Sequence, residues 1–287
     1  MLDEFRNEHW ESDYYKKTRR WIGYFDILGF KEFIYETELL EAVNKVENTL
    51  SEAIKEASDI SCTTISAKGL KNPILKSLTF SDSILFYIEP YIDFIPAFKY
   101  MVKSSAVLIA KFIEKGFLLR GAISFGQLYV DRRIPQSSGQ PKNNPAYSPS
   151  LDPIFIGKGL IDAHSWENAQ EWTGCIINPE MPDVWKILKS TDSSSIFDSL
   201  INNNDLIRFD VPLKKKVRYK KHLYAINWVK YLSKSLPPQK IQDFLKLERE
   251  KLSNKDSCIS GFRAFSAIKI DNTLTFLKKL QNQNIEA

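Results

Sequence analysis

Short apolar runs alternate with stretches of helical periodicity in the first half of the chain. Residues 20–28, RWIGYFDIL, form a short apolar run that predicts a strand, and residues 30–58 repeat apolar side chains every three or four positions, which predicts a long helix. After a polar stretch, the runs PILKSLTF and SILFYIE flank Ser81 and Asp82. Two apolar runs separated by two small polar residues predict an antiparallel hairpin.

A second helix and a long strand complete this pattern. Residues 92–115 again show helical apolar spacing, and the predicted helix stops at Gly116, a suitable residue just past a helix end. The following run, FLLRGAISFGQLYV, predicts a strand. The order βαββαβ predicts an α+β, ferredoxin-like core in which long helices cover one face of an antiparallel sheet.

The remainder of the chain divides into a loop, two short elements and an extension. Residues 131–153 are rich in Pro, Ser, Asn and Gly, which predicts a long loop, and residues 154–179 predict a helix followed by a short strand. Beyond them, polar helical patterns and the basic run LKKKVRYKKH predict a mostly helical C-terminal extension. The predicted organisation is an N-terminal segment, a core domain, and an extension that packs on the core or on a dimer, at residues 1–19, 20–180 and 181–287.

Composition favours a cytoplasmic protein with a polyanionic ligand. The chain has 287 residues, 43% of them hydrophobic, and a formal net charge of +5 that is spread along its length, so we expect neither a nucleic-acid partner nor a membrane partner. No stretch reaches the ~18 apolar residues that span a bilayer, and the N-terminus has no apolar signal region. The three cysteines lack CxxC spacing, so we expect reduced thiols and no zinc site.

Two carboxylates stand out because apolar residues surround them. Asp26 lies within GYFDILGF and Asp82 within LTFSDSILF. A carboxylate in such surroundings carries a desolvation cost of several kcal/mol unless a cation or hydrogen bonds compensate it. In a βαββαβ sheet the first strand lies beside the central hairpin, so the two side chains can meet at adjacent strand ends. The simpler alternatives are that Asp26 caps the next helix and that Asp82 is an ordinary turn residue.

Hard oxygen ligands of this kind suit Mg²⁺ or Mn²⁺, with two ions in each site. Two such ions can activate a ribose 3′-hydroxyl and stabilise a pyrophosphate leaving group. The turn formed by Ile27, Leu28, Gly29 and Phe30 leads into the first predicted helix, whose N-terminal amides would hold a triphosphate. The residues therefore predict a nucleoside triphosphate substrate.

Other patterns support different chemistry only weakly. His9, His164 and His222 are isolated and lie in no hydrolase or zinc motif, so we interpret them as structural. No P-loop occurs, and the Gly-Lys-Gly at 157–159 lacks the spacing of a phosphate-binding fingerprint. The basic run at 213–222 is more typical of a solvated surface than of a nucleic-acid footprint.

Four motifs in order resemble those of class III nucleotidyl cyclases. Residues 23–30 resemble the first metal motif of that family, and residues 80–86 resemble its second, a hairpin bearing an aspartate. Residues 120–126, RGAISFG, are similar to the family's Arg-x-Gly-Ile-x-x-Gly strand, and residues 156–163 stand where the family has its Gly-x-x-Val-Asn-x-Ala helix. The match covers roughly residues 20–180, and its order is its strongest feature.

The resemblance implies roles for individual residues. Asp26, Asp82 and the backbone carbonyl of Ile27 would be metal ligands, and Lys76 falls where purine cyclases carry a base-reading lysine. The family's transition-state asparagine and arginine would fall at Ile161 and Ser165, neither of which can make the same contacts. The family's base-reading aspartate would fall near residue 154, an isoleucine here, so the pattern departs from purine specificity.

These departures resemble the bacterial Pycsar-type pyrimidine cyclases, which make cyclic UMP or cyclic CMP as an antiphage alarm. The resemblance implies a homodimer with composite sites, and Arg120 is the residue that we expect to recognise nucleotide or to pair with a neighbouring carboxylate. The alternatives are a catalytically silent cyclase-like module that binds nucleotide or a partner, and an adenylate or guanylate cyclase. A palm-type polymerase or diguanylate cyclase is a third possibility, against which the missing Gly-Gly-Asp/Glu-Glu-Phe turn argues.

Overall fold

The computed structural model describes residues 18–60, 75–89, 93–131, 154–190, 194–217, 219, 222–254 and 260–285. Most of the predicted N-terminal segment and of the predicted loop at 131–153 lies outside these residues, as do His9, Cys62 and Cys258. Statements below about what the structure lacks refer to the described residues.

Up to residue 127 the described strands and helices follow the predicted order, apart from a break in the first helix, whereas residues 154–156, predicted as the start of a helix, form a strand. The strands are β1 Arg19–Leu28, β2 Leu75–Phe80, β3 Ser83–Ile88, β4 Leu118–Gln127, β5 Tyr129–Asp131, β6 Ile154–Ile156, β7 Gly174–Ile177, β8 Leu206–Phe209 and β9 Leu223–Ile226. The helices are α1 Phe30–Glu36, α2 Leu39–Asp59, α3 Phe94–Glu114, α4 Lys158–Asn168, α5 Pro182–Leu188, α6 Ser194–Asn202, α7 Pro238–Asn254 and α8 Ser260–Ile285, with a 3-10 turn at Trp228–Tyr231.

Seven strands form one sheet in the order β2-β3-β1-β4-β7-β9-β8, and β5 pairs with β6 separately. Among the described strands of this sheet, only β4 and β7 pair in parallel. The predicted α+β class, the βαββαβ core and the mostly antiparallel sheet are confirmed. The strands at 206–209 and 223–226 were not expected from the sequence, and they extend the sheet into the region that we predicted as mostly helical.

The two long helices pack together over one face of the sheet. Ser104 Oγ donates to the carbonyl of Ala57 over 2.7 Å, and an ion pair of 3.0 Å joins Lys111 to Glu56 across the same helix pair. The helix predicted for residues 30–58 is interrupted: the backbone is extended at Thr37, and Glu38 caps α2 through its own carboxylate. Because a capping side chain satisfies the free amides of a new helix start, it favours a break at this point.

Alternation along β1 directs its side chains to two different cores. Phe25 packs into the core beneath α2 and α3, whereas Ile22 packs with Leu85 and Ala163 on the opposite face, beneath α4. Successive strand residues point to opposite faces, so Asp26 lies on the α4 face. The sheet therefore places this carboxylate away from the long helices.

Helix α4 lies unusually close to β4. A Cβ added to Gly126 would lie 2.8 Å from the Cα of Gly159, so two glycines face each other where the helix crosses the strand. A larger residue at either position would push α4 away, since backbone atoms cannot yield as a flexible side chain does. This close packing sets the height of the α4 side chains above the sheet.

The C-terminal helix α8 packs on the rest of the fold through apolar and polar contacts. The ring of Phe276 lies 4.8 Å from that of Trp172 and 5.0 Å from that of Phe209, measured between centroids. The amide of Thr173 donates to Thr273 Oγ1 over 2.9 Å. The segment at 171–173 therefore joins α8 to the central part of the sheet. No described helix is long and apolar enough to cross a bilayer.

Candidate functional site

A row of residues across the sheet brings the sequence-predicted site together. Asp26 on β1 pairs with Ser83 on β3 and with Arg120 on β4, and Arg120 in turn pairs with Gly174 on β7. Directly opposed residues in a sheet share a face, so the Asp26 and Arg120 side chains meet on the α4 side. The distance from Arg120 Nη2 to Asp26 Oδ2 is 3.6 Å.

Asp82 lies in the tight turn between β2 and β3, beside the end of β1. The preceding Ser81 has a φ of 54°, which makes the turn tight, and the amide of Ile27 donates to the Asp82 carbonyl over 2.9 Å. The N–H and C=O of a strand residue point to the same side, so the Ile27 carbonyl also points toward the hairpin. Asp26, Ile27 and Asp82 therefore lie together at the end of β1, beside the turn between β2 and β3.

The electrostatics of Asp26 suit a cation. Burial raises the pKa of its carboxyl, Arg120 opposes this shift, and the negative charge of Asp82 adds to it. The effect of burial on the Asp26 pKa therefore exceeds the opposing effect of Arg120. A divalent cation between the two aspartates would relieve both burial and mutual repulsion, and hard carboxylate and carbonyl oxygens are suitable donors for Mg²⁺ or Mn²⁺.

The turn that follows Asp26 leads into a short helix and not into the long one that we expected. Gly29 has a φ of 77° and is exposed. Glycine adopts this left-handed backbone conformation at the lowest cost, because it has no Cβ. The helix α1 that follows it has seven residues, and the backbone becomes extended at Thr37. The predicted phosphate-holding turn at 27–30 is therefore a glycine turn beside the aspartates, while the long helix α2 begins further along the chain.

Arg120 is enclosed by partners and is not a surface residue. Its side chain is buried, Nε donates to Glu167 Oε1 over 2.5 Å, and Nη1 donates to the carbonyl of Gln170 over 3.0 Å. The guanidinium therefore spans Glu167 on α4 and Asp26 on β1. Of the two roles expected for Arg120, the described structure shows the pairing with a carboxylate. Arg120 pairs with two carboxylates, Asp26 and Glu167.

Sequence reasoning missed Glu167, which is almost fully buried. Burial raises the pKa of its carboxyl to about 7, Arg120 lowers it, and Asp26 raises it further. A signal was present: Gly159, Ala163 and Glu167 recur every four residues, so the carboxylate continues the buried stripe of α4. A charged residue in such a stripe indicates a buried partner.

Glu167 should make stability depend on pH. Its folded-state pKa of about 7 lies above its ordinary value of 4.5, so the folded protein loses stability as pH rises between these values. We expect the free energy of unfolding of the wild type to fall relative to Glu167→Gln across this interval, by at most ~3 kcal/mol. Urea unfolding from about pH 4.5 to about pH 8 measures this difference. Glu47→Gln, at an exposed carboxylate on α2, serves as the control, and parallel curves for wild type and Glu167→Gln would contradict the assignment.

The other residues named from the sequence lie around this row. Lys76 is partly buried on the edge strand β2, opposite Tyr87. Ile161 and Ser165 lie on the exposed face of α4, where Ile161 is 64% accessible, and Ile154 begins β6. Within the described residues, no hydrogen bond or ion pair joins any of these four side chains to Asp26 or Asp82.

The remaining expectations concern histidines, cysteines and metal clusters. His164 is exposed, and its ring packs edge-on against Tyr24 at 5.0 Å, while His222 pairs with Asp210 on the surface. Cys175 is buried and free, and burial raises the pKa of its thiol. Within the described ranges, no group of three or more His, Cys, Asp or Glu side chains could hold a metal.

Two lysines complete the charged group and were also missed. Lys214, from the basic run, is partly buried, and its Nζ donates to Asn168 Oδ1 over 2.5 Å. Lys269, on α8, is partly buried, and its pKa falls to about 8 through burial and the nearby Arg120 and Lys214. No local sequence pattern predicts that either lysine lies near Arg120, because both come from the region after residue 180.

Comparisons with known proteins returned partial matches of fold. No protein-family profile and no curated protein matches the chain. The guanylate cyclase domain of RhGC from Catenaria anguillulae in complex with GTP is 9% identical, with 74% of this chain and 97% of that chain covered and a TM-score of 0.43. A class III adenylyl cyclase-like ATP-binding protein from Pseudomonas aeruginosa is 11% identical, with coverages of 64% and 40% and a TM-score of 0.38. The guanylyl cyclase Cya2 is 11% identical, with coverages of 72% and 91% and a TM-score of 0.36.

Proposed function

We propose that this chain is a nucleotidyl cyclase that converts a nucleoside triphosphate to its 3′,5′-cyclic monophosphate and pyrophosphate. The observation that carries the proposal is the proximity of Asp26 and Asp82 at the ends of the neighbouring strands β1 and β3. The Ile27 amide donates to the Asp82 carbonyl over 2.9 Å. The raised pKa of Asp26 indicates an incompletely compensated carboxylate. Such a carboxylate in a partly buried site is a candidate functional group.

Asp26, Asp82 and the carbonyl of Ile27 would hold two Mg²⁺ or Mn²⁺ ions. When bound, these ions would activate the 3′-hydroxyl and neutralise charge on the leaving pyrophosphate. The chain itself would keep Asp26 in place through Arg120, which Glu167 and the Gln170 carbonyl hold rigidly. Phosphate oxygens would lie at the glycine turn of residues 27–30, whose central residue is exposed.

The expected substrate is UTP or CTP, and the expected assembly is a cytoplasmic homodimer with composite sites that serves as an antiphage signalling enzyme. The support for a pyrimidine is the replacement of the family's three polar positions by Ile154, Ile161 and Ser165. Ile161 is exposed on α4, where a second subunit would meet it. Lys76 lies on the edge strand β2 opposite Tyr87, and its role as a base-reading lysine stays part of this proposal.

A catalytically silent nucleotide-binding module is the second candidate. It is favoured by the same Ile161 and Ser165, which cannot replace the family's transition-state side chains, and by Arg120, which is engaged with two carboxylates. In this case the aspartates would bind a metal–nucleotide complex without turnover. The two candidates predict equal binding and different products.

Incubation of the purified protein with each of four labelled nucleoside triphosphates and Mn²⁺ separates these possibilities. We expect a cyclic monophosphate and pyrophosphate from UTP or CTP. A product from ATP or GTP alone would assign a purine cyclase. Binding of nucleotide without a cyclic product from any base would reject the enzyme and favour the silent module.

A further inference from the structure

Helix α8 docks on the segment that joins α4 to β7. Asn272 on α8 donates through Nδ2 to the carbonyl of Glu171 over 2.6 Å. The next residue of the segment, Trp172, is fully buried, and its ring lies 4.8 Å from the ring of Phe276 on the same helix. The backbone and the indole of this segment are therefore both held by α8.

Gln170 connects the segment to the strand that carries Arg120. The Gln170 side chain is fully buried, and its Nε2 donates to the carbonyls of Gly121 and Trp166 over 2.8 Å each. Its Oε1 accepts from Trp172 Nε1 over 2.8 Å, and its backbone carbonyl accepts from Arg120 Nη1 over 3.0 Å. One buried residue thus binds the indole held by α8 and the guanidinium at the candidate site.

The connection continues to Asp26 by two routes. Arg120 Nη2 lies 3.6 Å from Asp26 Oδ2, and Gly121, to which the Gln170 amide donates, pairs across the sheet with Phe25, the residue before Asp26. A buried amide that lost one of these partners would keep an unsatisfied polar atom, which is costly away from water. Each hydrogen bond in the series therefore favours the others.

We propose that Gln170 is a positioning residue through which the docking of α8 fixes the Arg120 guanidinium beside Asp26. The proposal rests on the proposed function, because it assigns the control of Asp26 in that site. Gln170 acts here through Arg120 and does not itself contact substrate. The helix at 260–285 would then control the order of the site at the end of β1.

Hydrogen exchange of the Arg120 Nε–H, followed by nuclear magnetic resonance in metal-free protein, tests this link without nucleotide or turnover. The signal is the one that Arg120→Lys removes. We expect Gln170→Leu to accelerate its exchange by at least about tenfold, because leucine has a similar volume and lacks the amide. Trp172→Phe removes only the indole donor and should accelerate exchange by about threefold, which keeps the test valid if Gln170→Leu does not fold.

Asn178→Leu is the matched control for a purely structural effect. Asn178 is also a buried amide: its Nδ2 donates to Ser124 Oγ over 3.0 Å, and its Oδ1 accepts from the amide of Glu180 over 2.7 Å. Asn178→Leu should lower the urea midpoint and leave Arg120 exchange within about twofold of the wild type. If Gln170→Leu behaved in the same way, or if both variants accelerated exchange equally, Gln170 would be a structural residue and the proposal would be overturned.

A pair of variants on α8 tests the part played by this helix. Asn272→Leu removes the hydrogen bond to Glu171 and should accelerate Arg120 exchange by about threefold. Thr275→Ala, at an exposed residue of the same helix, should leave it unchanged. Unchanged exchange in Asn272→Leu would show that α8 does not act on Arg120, against the proposal.

The cyclase assay distinguishes failure of the proposal from failure of the proposed function. If the wild type makes a cyclic product, Gln170→Leu should lower kcat by about tenfold and keep KM within about threefold, because it disturbs the geometry of Asp26 and no substrate contact. An unchanged kcat would reject the positioning role and leave the function standing. If the wild type makes no cyclic product while Arg120 exchange responds to Gln170→Leu and Asn272→Leu, the link from α8 stands and the cyclase is rejected.

Discussion

Asp26→Asn and Asp82→Asn should each lower cyclase turnover by at least ~1000-fold, because each removes one of the two carboxylates that would hold the divalent ions. Asparagine preserves the shape of each side chain and removes its charge. The change at Asp26 also removes a charge that burial disfavours, so the fold should persist. Product formation and Mn²⁺ binding, followed by paramagnetic resonance, measure the two consequences.

The control for these variants is Asp198→Asn, at an exposed carboxylate on α6. It should keep both the turnover and the Mn²⁺ affinity of the wild type. If Asp26→Asn or Asp82→Asn retained a tenth of the turnover, the metal assignment would be wrong. Loss of turnover with unchanged Mn²⁺ affinity would also contradict it, since the aspartates would then act in some other way.

Arg120→Met should lower the free energy of unfolding by ~3–5 kcal/mol, because it leaves buried Glu167 without its cation. Arg120→Met combined with Glu167→Gln should recover most of this loss, since the double variant buries no unpaired carboxylate at that position. Urea unfolding of the two single variants and the double variant gives the coupling energy between the side chains. The double variant also keeps the test valid if Arg120→Met alone does not fold.

The ion pair of Arg249 with Asp271 is a matched control. Its distance of 2.5 Å equals that of Arg120 to Glu167, but its side chains are nearly half exposed. Arg249→Met should therefore cost no more than ~1 kcal/mol. If the effects at Arg120 and Glu167 simply add, the two residues are not coupled, and Arg120 would again be a candidate for nucleotide recognition alone.

Local pattern predicted the elements that build the core, and physical reasons explain where it failed. The tight turn at Ser81 and Asp82 follows from two apolar runs with two small polar residues between them. The end of the first helix before Thr37 was missed because the apolar periodicity continues from α1 into α2. The strands β8 and β9 were missed because each has only four residues and lies next to polar or basic residues, which favoured a solvated region.

Sequence alone singled out Asp26 and Asp82 as candidates, because a carboxylate flanked by apolar residues can be recognised without knowledge of its spatial neighbours. Their proximity at the ends of neighbouring strands followed from the βαββαβ order, which the local pattern also predicts. Only the tertiary structure decided what surrounds them. Arg120 meets Glu167, 47 residues away, and Lys269 arrives on a helix from the far end of the chain. Such contacts depend on how distant segments pack, and no local periodicity encodes the charge of a partner that the fold brings from elsewhere.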